Sequence, residues 1–152
     1  VGSTAAISTV AVVAMGTGMA IGRWYGGLVL GHLKLDTQLL TVIALQFIGF
    51  LGFWLSHSMI ISLFCLFAVG LGISMQFALS SIRLIGLSDG RPDLAIGRAG
   101  LAAGIAIAGA PFLLGLLGDN FGISRAYIMV FVLIAIAFVI VKAIPSKVHE
   151  AA

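Results

Sequence analysis

The chain has 152 residues, of which 61% are hydrophobic and only 9% charged, with a mean hydropathy of +1.24. An ordinary soluble domain carries roughly 25% charged residues, so this balance excludes a water-exposed globular surface, a disordered tail and a nucleic-acid-binding module. The net charge of +3 comes from eight Lys/Arg spread thinly through apolar sequence, the pattern of membrane-orientation signals rather than of a DNA-binding patch.

A membrane-crossing helix needs about 20 apolar residues. Polar breaks divide the chain into five such segments, each too long and too apolar on all sides for a barrel strand. The expected fold is therefore an all-α polytopic membrane domain over residues 1–152, with five transmembrane helices. The first covers residues 4–33 and is followed by a short turn over 34–38. The second covers 39–55 and ends in the reversal Ser56, His57, Ser58. The third covers 59–85, and the loop after it is punctuated by Gly90 and Pro92. The fourth covers 95–118 and turns through residues 119–124, with Gly122 a candidate left-handed position. The fifth covers 125–144 and stops at Pro145, which cannot continue a helix. No initiating Met or leader precedes the first apolar run, so the chain reads as part of something longer.

Charge sets the orientation. Lys34, Arg83, Arg91, Arg98, Lys142 and Lys147 fall on one side, and Arg125 alone on the other, with Arg23 inside the first span. The positive-inside rule then places the C-terminus in the cytoplasm and the N-terminus outside a cytoplasmic membrane. Cys65 lies in an apolar run and reads as an inert packing residue. No cysteine or histidine cluster offers a metal site, and no residues pair for catalysis, so neither a cofactor nor an enzyme activity is expected.

Glycine is abundant, at twenty residues. In a bilayer, small residues let helix backbones approach closely. Gly18, Gly22 and Gly26 recur every four residues in the first span, and Gly27 and Gly31 repeat that spacing one position on. Gly104, Gly109 and Gly115 mark the fourth span, where Pro111 removes a backbone hydrogen bond and predicts a kink. These positions read as packing faces, or as smooth faces that slide during a conformational cycle.

Polar groups at membrane depth are costly and hence candidates for function. Arg23 beside Trp24 and Tyr25 is either an interfacial anchor or a cavity cation facing an anionic substrate group. Gln76 and Ser80, four apart on one face of the third span, are either interhelical hydrogen-bonding groups or substrate contacts, and Gln46 shares the ambiguity. All five acids, Asp36, Asp89, Asp93, Asp119 and Glu150, fall in turns, at a helix end or in the tail. Asp119 and Arg125 could pair across the fourth turn. The second and fifth spans, rich in Phe and Trp, read as lipid-facing.

The segment AIGRWYGGLVLGHLK over residues 20–34 resembles the end of the eighth helix of a major facilitator superfamily (MFS) transporter and the loop after it. The segment GIAIAGAPFLLGLLGDNFG over residues 104–122 is similar to the eleventh helix of that family, with Pro111, Gly115, Asp119 and Gly122 on its recurring pattern. In the first segment Gly27 matches the loop motif's first glycine, while Gly31 and His32 stand where the family has an acid and a base. The resemblance implies helices eight to twelve of a secondary active transporter. Such a protein moves a small solute by alternating access, and the wall of its cavity is completed by N-terminal helices of the same transporter. A non-transport helical membrane subunit is the competing reading. Its partners would be lipid and other helices, and neither reading involves nucleic acid.

Overall fold

The computed structural model describes residues 5–88 and 90–144. The expectations that fall on Thr4, Asp89, Pro145, Lys147 and Glu150 lie outside these residues. Six helical segments follow in order: α1 (Ala5–Leu30), α2 (Leu35–Leu55), α3 (Met59–Gly86), α4 (Pro92–Phe121), α5 (Ile123–Ala126) and α6 (Ile128–Ala143). No strand occurs among the described residues. Four stretches, Leu35–Leu55, Met59–Gly86, Pro92–Phe121 and Ile123–Ala143, are long and apolar enough to cross a membrane. The last comprises α5 and α6, separated only by a turn at Tyr127. At 1.5 Å per residue, the 26 residues of α1 reach about 39 Å, longer than a hydrocarbon core of about 30 Å.

The helix ends follow local chemistry. α2 starts four residues before the expected boundary. Lys34 is extended (φ −60°, ψ 145°) and Asp36 occupies the first turn, where the helix dipole favours an acid. The polar run over 35–38 is therefore helix, and the Gln38 amide closes the turn by donating to the Leu33 carbonyl at 2.7 Å. The 56–58 reversal is tied by Ser56, whose hydroxyl donates to the Ser58 carbonyl at 2.9 Å and accepts the Ser58 N–H at 3.2 Å. Pro92 opens α4, a position where its missing N–H costs nothing. α4 runs on helically through Pro111 and past the expected end at 118, stopping at Gly122. There φ is +84° and ψ is 148°, the left-handed, positive-φ position expected for Gly122 and a conformation open essentially to glycine alone.

α3 is the axis of the packed part. It lies against α1 on one side and α2 on the other, and α6 covers α2. The tightest cluster, Leu39, Val42, Ile43, Leu79 and Val141, gathers α2, α3 and α6 at the end where α2 begins and α3 finishes. α4 differs. It touches α3 only near their shared loop, where Ala95 is buried, and otherwise leaves its apolar side chains open.

The aromatic residues of α2 do not simply face outward as expected. Phe47, Phe50 and Trp54 all surround Phe131 of α6, with ring centroids 5.5, 5.0 and 5.5 Å away in edge-to-face arrangements. Such pairs add attraction beyond their contact area, and they fix α6 against the flank of α2.

Candidate functional site: glycine seams, an amide pair and a buried guanidinium

The α1–α3 seam is built from glycine on both sides. A Cβ on Gly18 would collide with the Phe67 carbonyl, one on Gly22 with the Ser74 hydroxyl and Leu71 backbone, and one on Gly26 with the Met75 sulfur. From the other side, a Cβ on Gly70 would strike the Met15 carbonyl. The four-residue spacing thus places backbone against backbone. A second seam joins α2 to α3, where a Cβ on Gly72 would lie 2.8 Å from the Val42 carbonyl and one on Gly49 3.1 Å from the Cys65 carbonyl. Cys65 itself is half-buried, and its Sγ would be 2.7 Å from a Cβ on Gly52.

Gly27, Gly104, Gly109 and Gly115 form a separate set, because nothing lies within 4 Å of a Cβ added to any of them. Pro111 is exposed on the same helix as the last three.

The α2–α3 seam also carries a polar contact. Gln46 of α2 is only 5% exposed, and its Nε2 donates to Oε1 of Gln76 on α3 at 2.5 Å. Ser74, also buried, donates its hydroxyl back to the Leu71 carbonyl at 2.6 Å. Gln76 is therefore engaged with a neighbouring helix. Ser80, one turn on, is exposed. Arg23 is exposed too, with Trp24 and Tyr25 exposed beside it. Among the described residues no hydrogen bond or ion pair joins Arg23, Gln76 and Ser80 to one another. Nor do Asp119 and Arg125 pair; both are exposed.

The strongest polar cluster was not singled out by the sequence. Arg83, in the last turn of α3, has a side chain only 8% exposed, and its Nε stands 3.1 Å from Oδ1 of Asp36 in the first turn of α2. Its Nη2 donates to the Val141 carbonyl at 3.0 Å and also to the Ile144 carbonyl. One guanidinium thus joins the acidic start of α2 to the carbonyl end of α6. The carbonyl end of α6 is a partner that helix-end electrostatics favour for a cation, and Asp36 supplies the opposite charge at the start of α2. The signal was present, since α2 and α3 are antiparallel and an acid opening one meets a base closing the other at the same end. The α6 carbonyls, sixty residues away, carried no such signal.

No group of three or more His, Cys, Asp or Glu is placed to hold a metal among the described residues. The long apolar helices, glycine seams and sparse, end-located charge together define a helical polytopic membrane protein. No family model, curated protein or solved structure matches the chain.

Proposed function

We propose that the chain is a segment of a secondary active transporter of the major facilitator type, moving a small solute across the cytoplasmic membrane by alternating access. In this reading α1, α2, α3, α4 and the α5–α6 pair are five spans, corresponding to helices eight to twelve. The N-terminus faces outside and the C-terminus the cytoplasm. The observation that carries the reading is the contrast between the packed helices and α4. α1, α2, α3 and α6 are closely fitted, whereas α4, thirty residues long, contacts α3 and the adjoining α5 but leaves Gly97, Gly100, Gly104, Gly109 and Gly115 with nothing within 4 Å of an added Cβ. A helix lining a transport pathway needs such a face, completed by helices of the other half and by substrate. Arg23 supports the same reading as an exposed cation with no carboxylate partner among the described residues. It is assigned to attract an anionic group of the solute, with Gln76 and Ser80 as further hydrogen-bonding positions on α3.

The test is a transport assay on the full-length protein in proteoliposomes. Arg23→Ala should abolish transport at normal expression, and Arg23→Lys should retain part of it. Undiminished transport by Arg23→Ala would reduce Arg23 to an interfacial anchor. A full-length protein that transports nothing across a broad solute screen would favour the membrane-subunit reading.

A further inference from the structure

Where α3 ends and α4 begins, the two helices part around an open cavity of about 500 Å³. Its lining combines two chemistries, the apolar Leu84, Leu87 and Leu94 and the cationic Arg91 and Arg98. Ser88 lies between them, its hydroxyl proton already donated to the Ile85 carbonyl at 2.6 Å. The arginines are therefore the strong donors. Both are exposed, and neither side chain makes a hydrogen bond or ion pair among the described residues. Asp36 is engaged by Arg83, and Asp93, in the first turn of α4, does not line the cavity. Arg91 caps α4 and Arg98 follows seven residues later, two turns along the same face. Each guanidinium is a planar fork of donors suited to phosphoryl oxygens, and both line the same cavity.

A small soluble anion would use the arginines and ignore the leucines. The position of the cavity accounts for both walls. It opens at the ends of two helices long enough to span a membrane, so it lies at headgroup depth. Beyond it α4 stands away from α3, and Gly97, Gly100 and Gly104 face open space. A headgroup held by the arginines would have an apolar cleft directly beside it for its chains. We infer that this cavity binds the phosphate of an anionic phospholipid between Arg91 and Arg98, with an acyl chain against Leu84 and Leu94 in the α3–α4 cleft. The inference requires the chain to lie in a bilayer and does not require it to transport, so a failed transport assay leaves it standing.

The test is native mass spectrometry of the purified protein, titrated in detergent with phosphatidylglycerol or phosphatidylcholine. A cation near an anionic surface contributes about fivefold, so two give a preference of about thirtyfold for phosphatidylglycerol. The Arg91→Ala/Arg98→Ala variant should lose that preference, and Lys142→Ala, altering an exposed cation at the same end of the bundle but outside the cavity, should keep it. Circular dichroism verifies that the double variant is folded, and the single variant Arg98→Gln, with an expected loss of about fivefold, replaces it if it is not. Equal affinity for the two lipids, or a preference that survives removal of the arginines, overturns the inference. So does an equal loss on Lys142→Ala, which would mean diffuse surface charge. Displacement of phosphatidylglycerol by an equal concentration of inorganic phosphate would assign the cavity to a soluble anion instead.

Discussion

Replacing Arg83 by Gln should loosen the whole α2–α3–α6 unit, and the structure sets the size of the effect. The substitution removes two charge-assisted hydrogen bonds, to Val141 and Ile144, and the contact with Asp36. A hydrogen bond from a charged donor contributes about 1.5–3 kcal/mol. The low end applies here, because one of the two acceptors belongs to Ile144, which is exposed past the end of α6, so water can replace the guanidinium there. The Asp36 contact adds little, since that side chain is 26% exposed and solvent can replace the guanidinium. The expected loss is about 3 kcal/mol, which raises the population of the opened state on the order of a hundredfold. Cys65, the only cysteine, gives the readout, because its Sγ is held in the α2–α3 seam against Gly52. It lies 18 residues from Arg83, about 27 Å along α3 at 1.5 Å per residue. Faster alkylation there reports cooperative separation of α2 from α3 and not a local release. In detergent micelles, Arg83→Gln should label on the order of a hundredfold faster than the parent, and Asp36→Asn only several-fold faster. The double variant should fall short of the product of the two, because the second change removes a partner already lost. An Arg83→Gln labelling rate within twofold of the parent, at unchanged helix content, would refute the argument.

The seams should respond in opposite ways to the same chemical change. Gly70→Ala drives a methyl into the Met15 carbonyl and should lower the melting temperature by an amount corresponding to about 1–3 kcal/mol. Gly104→Ala, made where nothing lies within 4 Å, should leave it unchanged or raise it by up to about 1 kcal/mol in stability through helix propensity; calorimetry of both variants checks the contrast. For the amide pair, Gln46→Leu or Gln76→Leu alone should destabilise the protein, and a double-mutant cycle in denaturant should return a coupling near 0.6 kcal/mol and below about 1.7 kcal/mol; additive effects would mean that the bond contributes nothing. Orientation is read with a membrane-impermeant thiol reagent in a Cys65→Ser background. Ser56→Cys should react from outside the cell and Ser146→Cys only after permeabilisation, and the reverse pattern would invert the topology.

What the sequence made legible was mostly short-range. The reversal at 56–58, the loop carrying Gly90 and the positive-φ glycine at Gly122 all depend on residues within a turn of one another, whereas the expected fourth span, 95–118, fell three residues short at each end of α4. The start of α2 was misplaced because Asp36, Thr37 and Gln38 are polar, and polarity between two apolar runs reads as a turn. A first helical turn favours an acid for electrostatic reasons that composition does not express. The aromatics of α2 looked lipid-facing because their partners, Tyr127 and Phe131, lie some eighty residues away. Gln46 and Gln76 were each legible as buried hydrogen-bonding groups, but only the fold puts them on facing helices. Arg83 was counted as an orientation charge. It is exposed to neither water nor headgroups, because α6 returns its carbonyl end to the same place.

Glycine spacing was legible, and its meaning was not. The same four-residue interval occurs in α1 and α4, and the structure separates the two cases. Gly18, Gly22 and Gly26 are held against the backbone or side chains of α3, so the α1–α3 contact is a fixed joint, and a joint closed by backbone against backbone has little room to slide without collision. Gly97, Gly100, Gly104, Gly109 and Gly115 of α4 have no neighbour within 4 Å of an added Cβ and are free of that constraint. If relative helix motion accompanies the proposed transport, it therefore belongs to α4 moving against helices outside this set, while α1, α2, α3 and α6 move as one body pinned at one end by Arg83. Crosslinking gives the sharpest form of that argument. A disulfide between cysteines introduced at Gly26 and Met75, where a Cβ on Gly26 would meet only the outer Met75 side chain that the second substitution removes, should leave transport by the full-length protein intact in a Cys65→Ser background. Loss of transport on oxidation, recovered on reduction, would show that the α1–α3 joint itself must open.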